Sequence, residues 1–127
     1  MIKIVIVYMG QGLYKHWALL SERTHQGRPL LISNTLRNGT VKEETWDQVV
    51  GHRPYKIITL QTGTPAYIIL AKARGAIDQV KYDLIQYNCE HFVREMVFGM
   101  AKSHQVSNVL TFTGVAAGVL YLGSRMR

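Results

Sequence analysis

Short β-branched runs fill the front of this chain and helical spacing takes over behind them, an order that leaves few folds open. Ile4 to Tyr8 is apolar and β-branched and reads as a strand buried on both faces. Gly10-Gln11-Gly12 breaks it. Trp17-Ala18-Leu19-Leu20 and Leu30-Leu31-Ile32 read as two more short strands, separated by a polar turn around Thr24 to Gly27. Asn38-Gly39 is a hairpin signal, which makes Thr40-Val41-Lys42 the returning strand. Tyr55 to Leu60 reads as another. Thr45 and Gln48, three apart, fit a capping box for a short helix that Gly51 ends. Thr64-Pro65 opens a second helix running to about Gly75, with Thr64 as cap and Pro65 in the first turn. Strands first and helices after is the pattern of an α+β domain with an antiparallel sheet.

The last helix of that domain begins at Tyr87-Asn88-Cys89-Glu90-His91-Phe92-Val93, which holds the only cysteine of the 127 residues. Asn88 is a good N-cap, because its side-chain oxygen accepts from the free N–H groups of a first turn. Phe92, Val93, Met96, Val97 and Met100 then follow helical spacing and make one apolar face. Cys89 becomes the first helical residue, where the dipole favours negative charge and a thiol is expected to ionise more easily. A lone cysteine is also often no more than a small buried hydrophobe, so position alone does not assign it chemistry.

The length fits one domain, and the hydrophobic share of 47% argues against general disorder. One cysteine excludes an intramolecular disulfide framework and a multi-cysteine zinc site, and a free thiol suits a reducing compartment. The formal charge of +7 favours anionic partners, either nucleic acid or an anionic membrane surface. The basic residues are scattered and match no nucleic-acid motif, so nucleic acid is the weaker of the two. The N-terminal apolar run is too short for a signal peptide. Residues 109–123 carry no charge, and Ser107 or Asn108 offers a helix cap before them. That run is about 15 residues, against roughly 20 needed to cross a bilayer. Gly114 and Gly118 have the four-residue spacing of close-packed membrane helices, and Arg125 and Arg127 follow as at a membrane edge. The division expected is a catalytic domain over 1–106 and a hydrophobic tail over 107–127, an apolar C-terminal helix that either anchors a cytoplasmic protein to a membrane or packs in the core.

A thiol nucleophile needs a base in reach and a third group to orient that base. His91 is turned about 200° from Cys89 on the same helix and reads as structural, or as a contact to the preceding loop. His25 and His52 sit in polar turns and read as solvated, and His104 has no supporting pattern. His16 is the best candidate, at the entry of the apolar strand in Leu13-Tyr14-Lys15-His16-Trp17-Ala18-Leu19.

Asn88-Cys89-Glu90-His91-Phe92-Val93, with His16-Trp17-Ala18 upstream, resembles the lecithin:retinol acyltransferase-like family. That family includes small phospholipase/acyltransferases and belongs to the circularly permuted NlpC/P60 group of papain-like thiol hydrolases. The resemblance implies that fold, with the antiparallel sheet packed against the helix of the nucleophilic cysteine. It implies Cys89 as nucleophile and His16 as general base, with the Cys89 backbone N–H in the oxyanion hole. The family's third member is a second histidine in an apolar-apolar-His pattern on the next strand. Here the strand reads Leu30-Leu31-Ile32-Ser33-Asn34, so Asn34 or Ser33 must orient the ring. Asn34 is preferred, since its amide oxygen accepts from an imidazole N–H, though which of the two faces inward turns on a one-residue register. The implied activity is acyl transfer through a thioester, from a phospholipid donor to water or to an amine or alcohol acceptor, with no metal or cofactor. The family's small members carry a membrane-holding C-terminal segment at the place of residues 109–123. An NlpC/P60-type amidase or peptidase, a non-enzymatic interaction protein and, last, a nucleic-acid binder are the competing readings.

Overall fold

The computed structural model describes residues 1–10 and 14–99 in full and the backbone of 114–116 and 120–122. Strands β1 (Ile2–Met9), β2 (Tyr14–His25), β3 (Arg28–Thr35) and β4 (Thr40–Glu44) lead into a one-turn helix α1 (Trp46–Val49). Strand β5 (Tyr55–Leu60) and helices α2 (Ala66–Gly75) and α3 (Cys89–Phe98) follow. The five strands make one antiparallel sheet in the order β4-β3-β2-β1-β5, so the expected α+β fold with an antiparallel sheet is what forms.

Strand β1, flanked by β2 and β5, explains why both sheet faces are covered. Its side chains alternate with period two. Ile2, Ile4 and Ile6 enter a core with Trp17, Leu19, Phe92, Val93 and Met96, on the side of α2 and α3. Val5 and Val7 enter a second core with Ala18, Leu31, Val49 and Val50, on the side of α1. Phe92 is fully buried in the first core, and its truncation to alanine is worth about 3–5 kcal/mol by analogy with other core aromatics.

Local chemistry sets the ends of the elements. The β2–β3 hairpin turns through Gln26 and Gly27, both left-handed, the primed geometry that matches strand twist. Thr45 accepts from the Gln48 N–H while the Gln48 side chain accepts from the Thr45 N–H, completing the capping box of α1. Gly51 (φ 59°) closes that helix where a side chain would approach the Asp47 carbonyl to 3.3 Å. Helix α2 starts one residue later than expected. Pro65 itself is the extended N-cap residue, Thr64 makes no cap bond, and helical backbone begins at Ala66.

The apolar C-terminal helix expected within 107–127 is corrected where the backbone is described. Gly114–Ala116 (β6) and Leu120–Leu122 (β7) are short antiparallel strands, with Val115 opposite Tyr121. Glycine lowers helix propensity by about 1 kcal/mol per residue, and Val and Tyr favour strands. The rest of that segment lies outside the described residues. Among the described residues no helix is long and apolar enough to cross a membrane.

Candidate active site

The β2–β3 ladder carries its last pair toward Tyr14 at Leu19↔Ile32. Beyond it, Ser33, Asn34 and Thr35 pair only with β4, and β2 pairs only with β1. The head of α3 fills the gap. The Trp17 N–H donates to Cys89 Sγ at 3.5 Å, and the Asn34 side-chain amide donates to the Tyr87 carbonyl at 2.9 Å. Two strands thus hold the start of one helix, bridging a gap that hydrogen-bonded strands would otherwise close.

The helix start is as the residues predict. Asn88 Oδ1 accepts from the Glu90 and His91 N–H groups at 3.0 and 3.1 Å. His91 Nδ1 accepts from the Asn88 N–H at 3.1 Å, so its ring serves the loop before the helix and, when neutral, carries its proton on Nε2. The Phe92 N–H goes to the Asn88 carbonyl. The Cys89 N–H is the first-turn donor that neither cap nor helix uses, beside its own sulfur.

Cys89 is 2% exposed. Its sulfur lies within 3.5 Å of the Tyr14 hydroxyl and within 3.8 Å of the Lys15 carbonyl. With the Trp17 N–H, these contacts set it alongside the main chain of His16. Burial pushes the thiol up from its ordinary value, and the hydrogen bonds from Tyr14 and the Trp17 N–H offset only part of that. The easier ionisation expected at a helix start is therefore corrected. A helix dipole is worth about 0.3–1 kcal/mol, whereas burying an unpaired charge costs several.

His16 is 6% exposed, and its Nε2 is 3.1 Å from Ser33 Oγ. No hydrogen bond joins the ring to the sulfur among the described residues. Burial pushes the ring down to about 4; Glu44 works against this and Arg37 and Arg53 with it. Both groups are consequently neutral near pH 7. The register decides the partner of the ring. Ser33 shares a face with Leu31 on the α1 side, while Asn34 shares a face with Ile32 on the α3 side. The preference for Asn34 as partner of the imidazole is thus corrected in favour of Ser33, and Asn34 holds the Tyr87 carbonyl instead. Its own buried Oδ1 has no partner among the described residues. The apolar-apolar-His pattern, laid on Leu31-Ile32-Ser33, already pointed to position 33.

Tyr14 was not read from the sequence. Its hydroxyl touches both Cys89 Sγ and the Tyr82 hydroxyl (3.4 Å), and burial raises its pKa, so it stays a phenol able to donate to sulfur. Extending the His16 strand back by two residues places Tyr14 and His16 on one face, the signal that would have found it. His25 and His52 are exposed, as expected, and His104 lies outside the described residues. Among the described residues no three His, Cys, Asp or Glu side chains gather to hold a metal ion. A neutral thiol, a neutral imidazole within the same gap and a spare N–H at a helix start can together support nucleophilic acyl chemistry.

The lecithin retinol acyltransferase family model matches residues 5–102. Phospholipase A and acyltransferase 2 from Homo sapiens is 32% identical over 93% of this chain and 76% of its own length. Phospholipase A and acyltransferase 3 from Mus musculus is 32% identical over 92% and 76%, and phospholipase A and acyltransferase 4 from Homo sapiens 29% over 89% and 72%.

Proposed function

The chain belongs to the lecithin retinol acyltransferase family, and we propose from this that it is a thiol-dependent phospholipase A and acyltransferase. The observation that carries the chemistry is a buried thiol at a capped helix start, set on the main chain on either side of a buried, neutral imidazole. With the His16 Nε2–H donating to Ser33 Oγ, the lone pair sits on Nδ1. The sulfur releases the Trp17 N–H and passes its proton to Nδ1, and the thiolate attacks an ester carbonyl of a phospholipid. The Cys89 N–H, unused by cap and helix, donates to the developing oxyanion. The tetrahedral adduct collapses, the glycerol oxygen leaves with the proton from His16, and an acyl thioester remains on Cys89. Water, an amine or an alcohol then takes the acyl group.

The order of His16 before Cys89 supports a permuted NlpC/P60 arrangement of the fold, with residues 1–106 as the catalytic unit. The charge of +7 supports action at an anionic membrane surface in a reducing compartment. So do Leu36, Leu84 and Ile85, which stand 64–80% exposed on the two loops bordering Tyr14 and Cys89. The apolar run of residues 109–123 supplies a second attachment.

Intact mass spectrometry after mixing with phosphatidylcholine vesicles tests the reading. The wild-type chain gains the mass of one fatty acyl group, and Cys89→Ala and His16→Ala do not. An adduct that survives in Cys89→Ala, or a wild type that neither gains mass nor releases fatty acid, overturns it.

A further inference from the structure

A cavity of about 150 Å³ adjoins the candidate site on the α1 side of the sheet. Tyr14 and His16 form one wall, Arg37, Gln48 and Arg53 supply polar groups, and Met9, Leu36 and Val49 make its apolar part. Tyr14 is shared, since its hydroxyl also reaches the Cys89 sulfur, so one side chain links the cavity wall to the thiol. Three charges meet there. Arg37 is held in place by a two-pronged pair with the buried Glu44 carboxylate, at 2.7 and 3.0 Å. Arg53 is exposed, and its guanidinium donates a long hydrogen bond to the Val50 carbonyl at 3.5 Å. Two guanidiniums face one carboxylate beside a neutral imidazole, which leaves the cavity with a surplus positive charge next to the reacting atoms. The fork of an arginine matches the oxygens of a phosphate. Nothing in the proposed acyl transfer uses this surplus.

We propose that this cavity is the phosphate subsite of the acyl donor: Arg53 binds the phosphodiester oxygens, and Arg37, fixed by Glu44, supplies the second positive wall. The inference rests on the reading of the protein as a phospholipid acyl-transfer enzyme and adds what selects the donor. With the phosphate over Arg53, the glycerol backbone runs past His16 and Tyr14 and delivers an ester to Cys89.

The test uses the full chain and spares the Arg37–Glu44 pair. Hydrolysis of monomeric dihexanoyl phosphatidylcholine is compared with hydrolysis of tributyrin, a neutral ester, in wild type, Arg53→Gln and Arg53→Lys. The ratio of kcat/KM for the phospholipid over the neutral ester falls about 10-fold in Arg53→Gln, mainly through KM, and is largely restored by lysine. A second arm needs no turnover. Glycerophosphocholine slows alkylation of Cys89 by iodoacetamide in the wild type, and about 10-fold more of it is needed in Arg53→Gln. Inorganic phosphate in the same assay separates recognition of any phosphate from recognition of the lipid headgroup: equal protection assigns the site to phosphate alone, stronger protection by the diester assigns it to the headgroup. An unchanged ratio together with unchanged protection overturns the proposal. If wild type cleaves neither ester, the acyl-transfer reading fails, and the alkylation arm still decides the subsite.

Discussion

Strand β2 carries polar side chains inward near both of its ends, and the two ends treat charge in opposite ways. At the Ser21 end, Arg74 of α2 reaches across to the sheet. Its guanidinium donates to Glu22 at 2.6 Å and Glu43 at 3.0 Å, while Ser21 donates to Glu43 at 2.6 Å. The hydrogen bond from Arg74 holds Glu22 down to about 2. Burial pulls Glu43 up, but Arg74 and Ser21 outweigh it and keep that carboxyl low as well. At the His16 end no opposite charge touches the ring or the thiol, burial wins on both, and both stay neutral. A buried group with a fixed counter-charge is locked in its ionised form and ties elements together. A buried group without one stays uncharged and is free to move a proton.

The largest expected effect breaks the reactive end. Cys89→Ala lowers acyl transfer by about 10³-fold or more, while the urea midpoint shifts little, since the substitution removes one small atom. Arg74→Met breaks the other end in the opposite sense. It lowers unfolding free energy by about 1–2 kcal/mol, the cost of a mostly buried carboxylate that loses its main counter-charge, discounted for the exposure of Glu22 and for the Ser21 and Arg23 contacts that Glu43 keeps, and leaves activity of the folded protein within about 2-fold. Chemical denaturation and initial rates on the same samples read both. Ser33→Ala costs about 10-fold in kcat, because the ring loses the partner that fixes its orientation and tautomer. An equal loss in Asn34→Ala with none in Ser33→Ala would reverse that assignment.

The smallest effect is in pH. The folded ring takes its proton near pH 4 and the unfolded one near 6.5, so the unfolded state binds more protons between those values. The contribution of His16 to stability is therefore full above 6.5 and is lost as pH falls toward 4. The acid limb of kcat/KM should lie well below 6.5, with activity nearly level from pH 7 to 5. A limb at 6.5 in the wild type would mean that the ring is solvated in the working enzyme.

The parts of this fold that depend on neighbours in sequence were legible in it. The α+β order, the capping box of α1, the Asn88 cap, the turn at Gly27 and the place of Cys89 at a helix start all follow from residues close to one another in the chain. What was misread depends on contacts made in space. Position 33 or 34 is a question of which sheet face looks toward His16, and one residue of register reverses it. The thiol acidity is set by burial under Tyr14 and β2, which no local pattern carries. β2 runs from Tyr14 to His25 rather than from Trp17 to Leu20, because pairing with β1 and β3 recruits polar residues that would not form a strand alone. Tyr14 was lost with that missing length.

The sulfur of Cys89 stands where a strand carbonyl would normally accept the Trp17 N–H. On the proposed thioester route, the Trp17 amide reports catalytic loading. Sulfur bonded to an acyl carbon is a poorer acceptor than a thiol, and a thiolate is a better one. Deuterium uptake at this single amide should quicken when the acyl group arrives and slow again when it departs, so that turnover can be followed from the backbone without a labelled substrate.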